Sequence, residues 1–373
     1  MNPPARPSTA PQVVAFVLPQ FHAIAENSAW WGEGFTEWRN VRRATPQFRD
    51  HDQPRVPMGR KYYDLRMLDT QSWQCELARA HGVSGFCYYH YWFNGKRLLE
   101  QPVDLLLERG IPDFPFCLAW ANEPWTRAWD GGDREVLMPQ TYGGAADWRV
   151  HFDRLLKAFV DPRYMRHGGK PVFLVYRSAS IVDCAGMFDY WRRWAVDSGL
   201  PGLHLVQMLT GFEADTRHGL FDATVDFEPM HTMYHHYSRR DRQHERLARH
   251  RAKFVRWVGG QAPHAPNSFD YDRVWARIIE RPAAPDRYLG AFVDWDNSPR
   301  REIKRAIVMR NFSVAQFEAG LTAQYKKAEA AAAPYVFINA WNEWAEGTYL
   351  EPDETRGMAL LEAVGRATDT TRR

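Results

Sequence analysis

Residues 339 to 352 read NAWNEWAEGTYLEP, placing Glu343, Glu346 and Glu351 among Trp341 and Trp344. The stretch follows the apolar run YVFI, so acids stand where a buried strand has just ended. They are either incidental acids of a wet loop or carboxylates delivered into a cleft. Burying an unpaired carboxylate is expensive, which favours a working role for Glu343 and Glu346. Two carboxylates held close cannot both ionise freely, so one pKa rises and leaves an acid and a base at neutral pH. Cleavage of a glycosidic bond needs that pairing. On a continued strand, side chains three apart point to opposite faces. A shared site therefore requires the strand to stop near Trp344, which Gly347 permits.

Eight short apolar runs lie along the chain, spanning 13–22, 82–92, 114–125, 170–177, 203–209, 223–229, 288–296 and 335–344. Most are continuously apolar rather than alternating, as expected of parallel strands buried on both faces. Helix-favouring stretches separate most of them, notably 69–82, 144–159, 183–199 and 313–333. Eightfold strand–helix alternation predicts an α/β fold, a single (β/α)8 TIM barrel with long loops after strands 1 and 6. Barrel strands deliver chemistry at their carboxyl ends. Those ends carry His22; Tyr88, His90 and Trp92; Trp120, Asn122, Glu123 and Trp125; Asp226 and Glu228; Trp295 and Asp296; and Trp341, Asn342, Glu343 and Glu346. Acids for a glycosidic bond and indoles for sugar faces together describe a carbohydrate pocket. Glu343 and Glu346 are the catalytic candidates, and the others are candidate substrate contacts.

The expected domain layout is a flexible lead over 1–12, a barrel over 13–367 with an insert at 230–287, and a flexible tail over 368–373. At 45% hydrophobic residues, the chain has ample material for a core. A net charge of +3 gives no global reason to expect nucleic acid. No run approaches the length of a membrane span. The four cysteines have no metal-ligand or disulfide spacing, which points to a reducing compartment, and the Pro-rich start lacks a signal-like apolar region. A cytoplasmic protein without metal or cofactor is expected, its partner an oligo- or polysaccharide, with oligomeric state left open. The run RRDRQHERLARHRAKFVR (239–256) is either a solvated helix face or a contact for an anionic glycan or lipid-linked phosphate.

LPQFH, WWGEGFTEW, GFCYYHYWFNGKRLLE, FPFCLAWANEPWTRAWDG, WDNSPRR and NAWNEWAEGTYLEPD together resemble the WbsX-type glycosyltransferase-like family, related to the endo-α-mannosidase group of glycoside hydrolases. The resemblance spans about residues 13 to 365 and implies a (β/α)8 barrel with no metal or nucleotide cofactor. It also implies that Glu346 is the general acid/base. Glu343 would assist attack by the sugar's own 2-hydroxyl, through a 1,2-anhydro intermediate and with overall retention. WANEPW resembles the acid/base signature of a large clan of retaining glycosidases. There the glutamate follows the fourth strand, whereas Glu123 follows the third, so Glu123 is read as a substrate-binding acid. Three functions are carried forward. The first is a retaining hydrolase or transglycosylase of an α-linked, mannose-like polysaccharide. The second is a glycosyltransferase of O-antigen or envelope polysaccharide biosynthesis, and the third a non-catalytic carbohydrate-binding barrel.

Overall fold

The apolar runs become eight strands in the computed structural model, which describes residues 10–127, 132–213, 217 and 219–369. They are β1 (Gln12–Val17), β2 (Gly85–Phe93), β3 (Phe116–Trp120), β4 (Lys170–Val175), β5 (His204–Leu209), β6 (Ala223–Asp226), β7 (Arg287–Phe292) and β8 (Tyr335–Asn339). Each pairs in parallel with its sequence neighbour, and β1 also pairs with β8, Ala15 standing opposite Ile338. The sheet is therefore a closed parallel barrel, the (β/α)8 fold, with helices between strands. Closure leaves this sheet no bare edge. Residues 1–9 of the expected lead and 370–373 of the expected tail lie outside the described residues; Gln12 already belongs to β1.

The register fixes which side chains fill the interior. Phe16 of β1 packs against Tyr89 of β2, Phe227 just beyond β6 and Phe337 of β8, at ring-centroid distances of 5.8, 5.3 and 5.5 Å. Only rings pointing inward can meet across the barrel. Pairing carries that face around the sheet: Phe16 opposes Cys87, Tyr89 opposes Ala119, and Ala119 opposes Leu174. Alternation then directs Tyr91 and Tyr176 inward at the carboxyl ends of their strands, while Tyr88, His90, Trp92 and Trp120 point outward to the helices.

Two long excursions stand at the carboxyl-terminal mouth. After β1, residues 20–68 contain the helices Ala25–Trp31 and Glu37–Arg43. After β6 come the long helix Arg239–Trp257, a short strand Ser268–Asp270 and the amphipathic helix Tyr271–Glu280. The last of these packs back against the barrel's helical layer, so the segment foreseen as an insert ends in an ordinary barrel helix. Among the described residues no helix is long and apolar enough to cross a membrane.

Candidate active site

Strand β8 ends at Asn339, five residues before the expected break at Trp344. The chain then runs along β1, with the Trp341 amide donating to the Phe16 carbonyl at 2.7 Å. Asn342–Glu343 pairs antiparallel with Thr348–Tyr349, and a single 3-10 turn, Trp344–Glu346, joins the two. That turn brings Glu343 and Glu346 to one side. Gly347 closes it at φ +69, where a Cβ would lie 2.8 Å from the Asp296 amide nitrogen. Only glycine meets both demands without strain.

Arg300, from the loop after β7, joins the acids. Its Nη2 donates to Glu343 Oε2 at 3.0 Å, its Nη1 lies 2.7 Å from Glu346 Oε1, and its Nε donates to Glu37 Oε2 at 3.0 Å. One guanidinium thus serves three carboxylates from the loops after β1 and β8. Glu37, Arg300 and Glu343 are buried; Glu346 keeps 24% of its side chain exposed, so solvent reaches the cluster from its side. Burial pushes the Glu343 carboxyl up to about 8; Arg300 opposes this, and the charges of Glu346 and Glu37 add to it. Burial likewise raises Glu37, against the pull of Arg300. Glu343 and Glu37 therefore hold a proton more tightly than a solvated carboxyl does.

Tyr89, Tyr91 and Tyr176 surround the acids. Each phenol is raised by burial first, and Glu343 and Glu346 oppose its ionisation further. Tyr91 continues outward into Trp125 and Trp30, with centroid distances of 5.3 Å and then 5.8 Å. This half-buried aromatic wall runs from the acids toward solvent. On the other side Glu123 pairs with Arg177, whose guanidinium lies 4.2 Å above the exposed Phe212 ring. Burial raises Glu123, Arg177 opposes the rise and Glu213 reinforces it.

The third acid of the opening stretch is a bolt. Glu351 accepts hydrogen bonds from Trp344 at 2.6 Å, Gln74 at 2.6 Å, Tyr63 at 2.8 Å and Trp341 at 3.1 Å. Burial pushes it up to about 7 despite those donors. Trp341 is consequently sealed behind the barrel wall and touches no cleft. Asn342 clamps the loop to β1's end through the Leu18 amide at 2.7 Å and its carbonyl at 3.0 Å. Asp296 receives His51 and Gln53 at 2.8 and 2.7 Å, while its own amide donates to the Glu346 carbonyl at 2.7 Å. Burial would raise Asp296, but His51 and Arg55 hold it near 2. Trp295 beside it is buried.

Several other predicted contacts sit on the outer face. His90 and Trp92 pack against His151 of the helix Ala145–Phe159, at 2.9 Å between ring nitrogens and 4.5 Å between ring centroids. Trp120 packs on the same histidine, and Tyr88 on Phe116. Asn122 holds the ends of β3 and β4 together through the Arg177 backbone. Asp226 and Glu228 lie in a buried ionic cluster with Arg281, which Arg287 and His231 join at Asp226. His22 is buried just past β1 and held near 4, chiefly by desolvation. The mouth holds Glu123, Trp125, Glu343 and Glu346 of the predicted set. The sequence reading missed Glu37, Arg300, Tyr89, Tyr91 and Tyr176. Glu37 and Arg300 do fall within WWGEGFTEW and WDNSPRR, where a charge among aromatics or beside a strand end was the available signal.

The family model described as Glycosyltransferase WbsX matches residues 13–364. The chain belongs to the WbsX family. It is 41% identical over 372 residues to proteins described as "Uncharacterized protein WxcX" from two strains of Xanthomonas campestris pv. campestris, covering 97% of this chain and 50% of theirs. This WbsX chain thus spans about half the length of the curated relatives it matches. Its fold is shared with a GH99 endo-alpha-mannosidase from Bacteroides thetaiotaomicron, at TM-score 0.57 and 13% identity over 97% of both chains. A "Glycoside hydrolase-like protein" is similar at TM-score 0.57 and 12% identity, over 99% of this chain and 97% of that one.

Proposed function

We propose that this WbsX chain is a carbohydrate-active enzyme that breaks and remakes an α-glycosidic bond with retention, using Glu343 and Glu346 as its proton-handling pair. The observation that carries the reading is the single Arg300 guanidinium holding both carboxylates at a partly open barrel mouth. A buried carboxyl whose proton is held more tightly, beside a second and more accessible one, suits acid and base roles in the same step. The resemblance gives proton donation to Glu346 and gives Glu343 the activation of the sugar's 2-hydroxyl. Burial raises Glu343 and its charge is coupled to Glu346, so the pair, rather than either residue alone, is the unit that delivers the proton.

A sugar ring would stack along Tyr91 and Trp125, its hydroxyls facing Glu123 and Arg177. Mannose-like α-linked polysaccharide is the substrate class, supported by the shared fold with the endo-alpha-mannosidase. Transfer to a sugar hydroxyl instead of water is favoured by the family's description as glycosyltransferases, and the same retaining site serves both. The free, buried cysteines fit a cytoplasmic, biosynthetic setting.

Turnover of an aryl α-mannoside and an α-mannan oligosaccharide by Glu346→Gln and Glu343→Gln tests this. Losing the proton donor spares activated aryl leaving groups and abolishes oligosaccharide cleavage; losing the base damages both. The expected pattern assigns donation to Glu346. Full activity in both variants would remove the mechanism.

A further inference from the structure

The helix Arg239–Trp257 stands at the barrel's mouth end, after β6, and takes no part in the chemistry above. Residues 239–256 hold eight basic and two acidic side chains, an excess of six in a chain whose total excess is three. The rest of the molecule is therefore net acidic, and positive charge is concentrated on this one element. Both acids are turned inward. Asp241 is buried against Arg277 at 2.8 Å, and Glu245 against Arg310 at 2.6 Å. Ala252 is buried on that same inner face, whereas Arg242, Arg246, Arg249, Arg251 and Lys253 are exposed. No acid of the helix offsets them at the surface.

A plain solvated helix face would end there, but this one also exposes apolar side chains. Leu247 is 52% exposed, Phe254 61%, Trp257 81% and Val258 58%. Leu247 and Phe254 are a heptad apart, and Trp257 follows one turn later, its ring 5.9 Å from Phe254. They form one stripe flanked by cations. An exposed Trp, Phe and Leu stripe between arginines is the pattern of a helix lying in a lipid interface, where rings enter the acyl boundary and cations meet anionic headgroups. A soluble polyanion would satisfy the charges, and a sugar face could cover one ring, but the continuous Leu247, Phe254 and Trp257 stripe fits an acyl boundary better.

We propose that the helix Arg239–Trp257 docks this protein on an anionic lipid bilayer. The charge asymmetry turns that side of the molecule toward the membrane, and the stripe of Leu247, Phe254 and Trp257 supplies the hold.

Co-sedimentation of the whole chain with phosphatidylglycerol–phosphatidylcholine vesicles, phosphatidylcholine vesicles and soluble dextran sulfate tests it. Binding is expected to the anionic vesicles alone among the two lipid mixtures, weakening as salt rises. Phe254→Ala/Trp257→Ala should lower that binding by about tenfold or more, with circular dichroism unchanged because both rings are exposed. Arg249→Gln/Lys253→Gln should lower it through the charge term, and dextran sulfate binding should ignore the aromatic variant. Absence of vesicle binding, equal binding to neutral vesicles, or unchanged binding by the aromatic variant overturns the proposal. Binding to dextran sulfate alone overturns it in favour of an anionic glycan.

Discussion

Arg300 touches Glu37, Glu343 and Glu346 while nearly sealed from water. A single positive charge cannot offset three negative ones in a poorly solvated site, so burial raises the Glu343 and Glu37 carboxyls against the pull of Arg300. The sign of the consequence follows from linkage. A carboxyl raised from 4.5 to about 8 binds its proton more tightly in the native state than in the unfolded chain. Its contribution to stability is complete below about pH 4.5 and is lost as pH climbs through about 8. Buried histidines such as His22 and His90, held below their ordinary range, add stability as pH rises over the same interval, so the readout is a difference. The melting temperature of the wild type minus that of Glu343→Gln should fall from pH 5 to pH 8, and a constant difference would contradict the assignment. Arg300→Met is expected to cost about 3–5 kcal/mol in urea unfolding at neutral pH, because it leaves buried carboxylates without their cation. A loss of under about 1 kcal/mol would mean that the three acids do not depend on it.

At the scale of elements, one residue of parity separates the predicted contacts from those found. Tyr91 faces the acids and Trp92 faces the helix Ala145–Phe159, although both end the same strand. Tyr91→Ala should raise KM with little change in melting temperature. Trp92→Ala should cost about 3–5 kcal/mol of stability by opening a buried void. The opposite pattern would put β2 in the other register. The eight strands were readable because strands buried on both faces are apolar throughout. That same property erases the alternation that tells inside from outside, so the sequence alone places Tyr88, His90, Trp92, Trp120, Asn122, Asp226 and Glu228 at the mouth. Glu343 and Glu346 stand out in the sequence because acids follow an apolar run there, and Gly347 marks the close of the turn that brings them to one side. Gly347→Ala should cost about 1–3 kcal/mol and lower turnover, since a φ of +69 and the nearby Asp296 backbone both oppose a Cβ. Wild-type stability and rate in that variant would mean that the turn is more pliable than its contacts imply. For Arg300 the sequence offers only its place beside a strand end, because its partners lie 43 and 263 residues away and no local pattern joins them.

For the whole molecule, closure of the barrel makes the site. The loops after β1, β7 and β8 converge only because β1 pairs with both β2 and β8, which sets Glu37, Arg300, Glu343 and Glu346 beside one another. Around them Asn342, Glu351, Asp296 and Arg55 fix the backbone, the last donating to the Gly347 carbonyl at 2.6 Å. Such a frame holds the acids in place before any sugar arrives. Among the described residues the mouth carries two acidic places, Glu343 with Glu346 and Glu123 with Arg177, and a bound saccharide distinguishes them. A crystal structure of the Glu346→Gln variant with an α-linked mannose disaccharide is the most direct measurement. The expected result is a sugar ring against Tyr91, with its glycosidic oxygen within hydrogen-bonding reach of residue 346 and its 2-hydroxyl near Glu343. A disaccharide lying wholly on Glu123, Arg177 and Phe212, with Arg300 and its three partners undisturbed, would contradict it.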